Sequence, residues 1–122
     1  MRKAIVLPAL LGACACAPTG LPEPDWAGPP VNICHRGHGG LWIELVAPTA
    51  GHEFTLGEVR RDGARVDVCM RHRRPSGELV AQVVTPIAVD VPAAQLGDAR
   101  TVSVWIASDG DPRRLVMTLA RR

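Results

Sequence analysis

Hydrophobic and polar residues alternate with a period of two along most of the chain from Leu41 onward. Alternate side chains of a β-strand point to opposite faces of a sheet, whereas an amphipathic helix repeats about every 3.6 residues. The pattern therefore predicts strands with one apolar and one polar face. It is clearest over residues 41–46, 53–56, 66–70, 102–106 and 115–119.

Turn-forming residues separate these segments at regular intervals. Asp62-Gly63 is typical of a tight hairpin turn, and residues 75–77 and 108–112 also favour turns. Residues 79–85 form a nearly continuous apolar run, which predicts a strand buried at the centre of a sheet.

Pro86 interrupts that run, because proline cannot donate a hydrogen bond to a neighbouring strand. We expect residues 87–91 to form either a bent continuation or an edge strand. Residues 92–96 are the one helical candidate and are long enough for a single turn. Six to seven short strands predict an all-β fold, a small antiparallel β-sandwich or a partly open barrel.

The first fourteen residues have the order of a bacterial lipoprotein signal peptide. Arg2 and Lys3 give a positive start, residues 4–10 form a short apolar stretch, and small residues precede Cys14. A membrane-spanning helix needs roughly 20 apolar residues, so this shorter stretch predicts a cleaved export segment. We expect Cys14 to begin the mature lipoprotein and to carry palmitate and other acyl chains as a membrane anchor. An ordinary signal peptide and cleavage before Cys16 are the alternatives.

The residue after the lipidated cysteine indicates where a lipoprotein is sorted. Ala15 stands there instead of Asp, which in lipoproteins generally implies transfer to the outer membrane. The predicted location is the cell outer membrane, with the folded domain facing the periplasm.

Size and charge limit what the mature chain can be. Removal of residues 1–13 from the 122 leaves 109 residues, enough for one small domain. It also removes two of the 14 Lys and Arg, so the remainder balances the 12 Asp and Glu. Nucleic-acid-binding domains usually carry a clear basic excess, so no nucleic-acid partner is predicted. The proline-rich residues 14–32 predict an extended tether, and residues 33–122 a single β-sandwich domain.

Three cysteines remain beside Cys14, and export makes a disulfide permissible. Cys34 and Cys69 lie in or beside the predicted domain, whereas Cys16 lies on the tether. We therefore expect a Cys34–Cys69 disulfide, with Cys16 left as an odd thiol.

Zinc binding is an alternative use of the cysteines. Their spacing relative to histidine matches no known finger or ribbon, so no metal and no cofactor is predicted. The residues concerned are Cys34, His35, His38, Cys69 and His72.

The sequence shows no pattern that points to catalysis. Ser76, Ser103 and Ser108 lie outside a Gly-x-Ser-x-Gly arrangement, and no glycine-rich phosphate loop precedes a helix. We expect a protein that is not an enzyme.

Arginines are dense around the predicted hairpin and the turn that follows. One interpretation is a solvated face that deters strand aggregation, and the other is contact with an anionic partner, peptidoglycan or lipid headgroups. The arginines are Arg60, Arg61, Arg65, Arg71, Arg73 and Arg74.

The motifs between Leu41 and Pro92 have a distinctive order. Residues 48–52 read Pro-Thr-Ala-Gly-His, a strand and a hairpin follow, and residues 82–86 read Gln-Val-Val-Thr-Pro. This order resembles the C-terminal domain of the protease-complex subunit PrcB family over about residues 41–92. The resemblance implies a β-rich, non-enzymatic accessory domain, often of lipoproteins, whose founding example assists a surface protease.

Two positions depart from that family's pattern, because Ala50 and His52 stand where it tends to have glycine and an aromatic residue. Residues 49–52 are also similar to the Thr-Thr-Gly-Tyr loop of chagasin-like cysteine-protease inhibitors, which are small sandwiches. This second resemblance implies insertion of the 48–52 loop into a protease cleft.

The sequence therefore predicts a lipid-anchored accessory or scaffold domain that binds another envelope protein or a protease complex. A protease inhibitor that uses the 48–52 loop and a Cys/His metal-binding protein are the alternatives. The candidate partner-binding residues are Pro48, Thr49, Gly51, His52, Arg71 and Arg74.

Overall fold

The computed structural model describes residues 23–77 and 81–121, which form seven strands and one short helix. The predicted signal peptide, Cys14 and Cys16 lie outside these residues. The elements in chain order are β1 (Val31–His35), β2 (Leu41–Ala47), β3 (Glu53–Asp62), β4 (Arg65–Arg73), β5 (Thr85–Val91), α1 (Ala93–Leu96), β6 (Thr101–Ser108) and β7 (Arg114–Ala120). Within the described ranges, no helix has the length and hydropathy needed to cross a bilayer.

The strands form two sheets that share one core. One sheet has the order β1-β2-β5 and the other the order β3-β4-β6-β7. This arrangement confirms the prediction of a small all-β sandwich and of a single helical turn after β5.

Alternation along the strands supplies the core, as the sequence pattern predicts. On β2 the side chains of Leu41, Ile43 and Leu45 are fully buried, while the residues between them are partly exposed. Full burial of one such aliphatic side chain stabilises the fold by about 1.5–3 kcal/mol. The facing sheet contributes Val66, Val68, Met70, Val102, Val104 and Ile106.

The central pair of the four-stranded sheet departs from the predicted antiparallel order. β4 and β6 run parallel, with Val66 beside Val102 and His72 beside Ser108. The chain leaves β4, crosses to the other sheet as β5, and turns through α1 before it returns. That crossover brings it back in its original direction.

The predicted central strand over residues 79–85 is wrong in its described part. Residues 81–84 lie outside any strand, and Val83 and Val84 are 57% and 67% exposed. β5 begins at Thr85 and is an edge strand, which is one of the two outcomes that Pro86 allows.

The described part of the proline-rich segment lies against the domain. β1 begins at Val31 and pairs with β2, so sheet pairing starts inside the predicted tether. Upstream of it, the backbone N–H groups of Asp25 and Trp26 donate to the Leu115 carbonyl at 2.9 and 3.2 Å. The Trp26 side chain packs against the core.

Candidate functional site

Three loops meet at one end of the sandwich, which we call the loop end. They are residues 48–52 between β2 and β3, the described residues between β4 and β5, and residues 109–113 after β6. The Ala50 N–H donates to the Ala81 carbonyl at 3.0 Å, which joins the first two loops.

Gly51 is required at its position by both backbone conformation and space. Its φ is +90°, a conformation that disfavours side chains, and a Cβ there would lie 2.9 Å from the Cβ of Pro75. The 48–52 turn therefore packs closely on the loop that follows β4.

Four side chains, which we call the histidine chain, connect this turn to the four-stranded sheet. The Thr49 hydroxyl lies 3.1 Å from Nε2 of His52. Nδ1 of His52 lies 2.8 Å from Nε2 of His72. The chain ends where Nδ1 of His72 lies 2.8 Å from the Ser108 hydroxyl.

The two imidazole rings lie end to end and not face to face. Their planes differ by only 5° and their centroids are 5.1 Å apart, while the facing nitrogens are 2.8 Å apart. A centroid separation that exceeds the nitrogen separation by about two ring radii is that of an in-plane N–H···N bond. Each neutral ring has one donor and one acceptor, so two neutral rings complete the chain in either direction.

The parallel pairing of β4 and β6 creates the buried half of this chain. It places His72 directly beside Ser108, and these residues are only 2% and 4% exposed. Buried polar groups are normally hydrogen-bonded, and here both ring nitrogens of His72 have a partner. The Trp26 ring meets His72 edge-on, with 6.1 Å between centroids.

Burial lowers the pKa of His72, and electrostatic repulsion of the protonated ring by His52 and Arg74 lowers it further. Asp109 opposes this effect only in part. The neutral ring is therefore favoured at neutral pH, which suits an N–H···N bond. Because each hydroxyl and nitrogen is paired, the chain can tie the 48–52 turn to the sheet.

An open cavity of about 440 Å³ lies beside the histidine chain, at the end of β4. Arg71 and Arg73 line it together with Thr55 and Ala107 from the adjacent strands, and Glu53 and Asp109 contribute carboxylates. The cavity thus has two guanidinium groups beside two carboxylates.

All six predicted partner-binding residues lie at the loop end. Thr49 and His52 belong to the histidine chain, and Pro48 is exposed. Arg71 lines the cavity, whereas Arg74 forms a 2.8 Å ion pair with Asp109 across two loops.

Arg73 also lines the cavity, whereas the arginines nearer the hairpin turn lie away from it. Arg61 pairs with Asp98, and Arg65 pairs with Asp62 and with the buried Asp67. The arginine-rich segment therefore divides between the two ends of the sandwich.

The predicted Cys34–Cys69 disulfide is wrong, because both thiols are free. Cys34 alternates with the core-packed Val31 and Ile33 on β1, so it faces outward from the three-stranded sheet. Cys69 lies between two core residues of β4 and faces outward from the other sheet. Stacked sheets are about 10 Å apart, whereas bridged cysteines need Cα atoms within about 7 Å.

The possible zinc ligands do not form one cluster. Cys34 and His35 lie on β1 with His38 in the next turn, whereas Cys69 and His72 occupy opposite faces of β4. Across the residues described, no three His, Cys, Asp or Glu side chains come close enough to hold a metal ion.

Sequence reasoning missed the link between His72 and Ser108. The available signal was the alternation along β4. Residues 66, 68 and 70 are apolar, which predicts that position 72 also faces the core. A polar ring at such a position needs a buried partner.

Comparisons with known proteins add no relative. No protein-family model matches the chain, and neither the curated proteins nor the solved structures yield a match. The fold and the loop end define the class of this protein as a small two-sheet β-sandwich.

Proposed function

We propose that this chain is a lipid-anchored binding domain of the bacterial envelope, without catalytic activity of its own, that contacts another envelope protein through the loop end. The anchor is Cys14, and the outer membrane with its periplasmic side is the expected site. The sequence supports this through its positive, apolar and small-residue order before Cys14. The resemblance to the PrcB family supports an accessory role in the same way.

The observation that carries the proposal is the exposure of Val83 and Val84 beside the 48–52 turn. They are 57% and 67% exposed, and two residues earlier the Ala81 carbonyl accepts a hydrogen bond from the 48–52 turn. Contiguous exposed apolar side chains mark candidate contact surfaces, and these two valines are adjacent in the chain. Partner binding would cover them.

The test places a photo-crosslinking amino acid at Val83 in the full chain in intact cells. A matched variant carries it at Ala94, an exposed position on α1 at the opposite end of the sandwich. We expect a discrete crosslinked protein from the first variant and none from the second. Equal crosslinking from both positions would contradict contact through the loop end.

The anchor has a separate test. Cells fed labelled palmitate are expected to label the wild-type chain in the membrane fraction and to leave C14S unlabelled. C16S serves as the control and should label as the wild type does. Labelling that is lost in C16S and kept in C14S would move the anchor to Cys16.

Protease inhibition by the 48–52 loop is a second candidate, favoured by the rigidity of that loop. The Thr49–His52 bond and the close packing of Gly51 on Pro75 hold it in one conformation, and pre-organised loops lose little entropy on binding. A papain-like protease assayed with wild type and G51V tests this. Inhibition by the wild type alone supports it, and inhibition by neither contradicts it.

A further inference from the structure

Arg71 differs from the two arginines that follow it in the chain, because it has no partner among the described residues. Arg73 pairs with Glu53 at 3.6 Å, and Arg74 pairs with Asp109 at 2.8 Å. Among the residues that the structure describes, the Arg71 guanidinium has neither an ion pair nor a hydrogen bond. Its five N–H donors therefore remain available to a ligand.

Arg71 lies on the outer face of the sheet, beside Gly57 of β3. A Cβ at Gly57 would lie 2.9 Å from the backbone carbonyl oxygen of Cys69, so this position needs glycine, and it would lie in ordinary contact with the Arg71 side chain, 3.6 Å from Cγ and 3.7 Å from Nε. The sheet has an irregularity in register between Leu56 and Glu58, which places Gly57 in a bulge. Gly57 thus places no side chain beside the stem of Arg71, the one arginine lining the cavity that has no ion pair among the described residues.

The row of side chains across the sheet completes the site. Arg71 lies between Thr55 on β3 and Ala107 on β6, and all three line the 440 Å³ cavity. The small Ala107 leaves room above the sheet, and the Thr55 hydroxyl adds one more donor. The positive charge on this face also affects the Cys69 thiol. Burial raises the pKa of Cys69, and the charges of Arg113 and Arg71 partly oppose that rise.

We propose that this cavity binds a single carboxylate group, presented by an acidic residue of the partner protein. The planar guanidinium of Arg71 matches the two oxygens of a carboxylate, and the Thr55 hydroxyl donates a further bond. Glu53 and Asp109 line the same cavity and disfavour a doubly charged phosphate. This inference rests on the proposed function, because the partner protein supplies the carboxylate.

The test titrates the full chain, purified in detergent, with two short peptides while the arginine Nε–H signals are followed by NMR. The probes are acetyl-Gly-Asp-Gly-amide and its Asn counterpart, which differ only in the carboxylate. We expect the Asp peptide to shift the Arg71 signal saturably with a dissociation constant in the millimolar range, and the Asn peptide to leave it unchanged. An equal response to both peptides would overturn the proposal.

Variants separate this site from general positive charge. R71Q is expected to weaken binding of the Asp peptide at least tenfold, with R71K intermediate because it keeps charge but loses the planar fork. The matched control is R100Q, which removes another exposed arginine that has no ion pair among the described residues. Wild-type affinity in R71Q, or an equal loss in R100Q, would contradict the assignment.

Two further outcomes are informative. Tighter binding of inorganic phosphate than of the Asp peptide would exclude the carboxylate class. If the Asp peptide does not bind but the Val83 crosslink still forms, the carboxylate site is contradicted and the proposed function stands. If the Asp peptide binds but no Val83 crosslink forms, the loop-end partner is contradicted and carboxylate binding by the cavity stands.

Discussion

His52 and His72 share an in-plane hydrogen bond of 2.8 Å between Nδ1 and Nε2, although they stand 20 residues apart in the chain. Two neutral rings satisfy this bond, and one added proton is still compatible with it. A second proton would leave two N–H groups facing each other, and the bond would be lost. The 48–52 turn is therefore attached to the sheet most firmly when the pair is neutral or singly charged.

The first prediction concerns the pH dependence of stability. The pKa of His72 is lowered in the folded state from its ordinary 6.5, so the unfolded chain takes up this proton first as the pH falls. The contribution of His72 to the free energy of unfolding is complete above about pH 6.5 and decreases as the pH falls toward the folded-state pKa. Urea unfolding of wild type and H72Q between about pH 7.5 and pH 5 measures it.

We expect H72Q to lose stability less steeply than the wild type over this interval. H35Q changes an exposed histidine on β1 and is the control, with a slope like that of the wild type. Equal slopes for H72Q and wild type would contradict the prediction.

Removal of the Ser108 hydroxyl is expected to destabilise the fold. S108A leaves Nδ1 of the buried His72 without its 2.8 Å partner, and an unsatisfied buried polar group costs about 1–3 kcal/mol. Chemical denaturation at neutral pH measures the loss. S76A changes an exposed serine and should be near neutral. An S108A variant as stable as S76A would mean that water replaces the hydroxyl.

Shortening a buried and an exposed side chain is expected to affect stability very differently. L45A removes a fully buried side chain of β2 and is expected to lower the free energy of unfolding by about 2–5 kcal/mol. V84A removes methyl groups from a side chain that is 67% exposed, and we expect a change within about 0.5 kcal/mol. Similar losses in both variants would be inconsistent with Leu45 lying between packed sheets.

The cysteines give a direct chemical prediction. The chain is alkylated with N-ethylmaleimide under denaturing, non-reducing conditions and then digested for mass spectrometry. We expect the peptides that contain Cys34 and Cys69 both to carry the label, because the two thiols face outward from different sheets. Under native conditions Cys34 should react faster, since burial raises the pKa of Cys69. A Cys34–Cys69 crosslinked peptide would contradict the fold of β1 or β4.

The sequence predicted β2 well because full burial on this strand is confined to one face. Its buried aliphatic residues at 41, 43 and 45 alternate with Glu44 and with two partly exposed residues, which is enough to assign both strand and face. β1 was not predicted from the sequence. Val31 and Ile33 give only two alternating apolar positions, and they follow directly after two prolines. The prediction of a central strand over residues 79–85 was wrong in its described part, because apolar composition alone does not specify a pairing partner.

The site was only partly predictable, since it depends on contacts between distant segments. The 48–52 turn is visible in the sequence through its proline and glycine. The register of β4 against β6 is not, and that register is what places His72 beside Ser108. Likewise, nothing in the local sequence shows that Gly57 lies against the Cys69 carbonyl and beside the Arg71 side chain.

The parallel contact between β4 and β6 also has a consequence for the order of assembly during synthesis. The β3–β4 hairpin can form as soon as Arg73 has left the ribosome, because its contacts are local. Its inner strand gains a second neighbour only after residue 108 has emerged, and such distant contacts form slowly. Until then one edge of β4 lacks its hydrogen-bonding neighbour, so the nascent protein is expected to expose an unpaired strand edge for longer than a simple meander of the same length would.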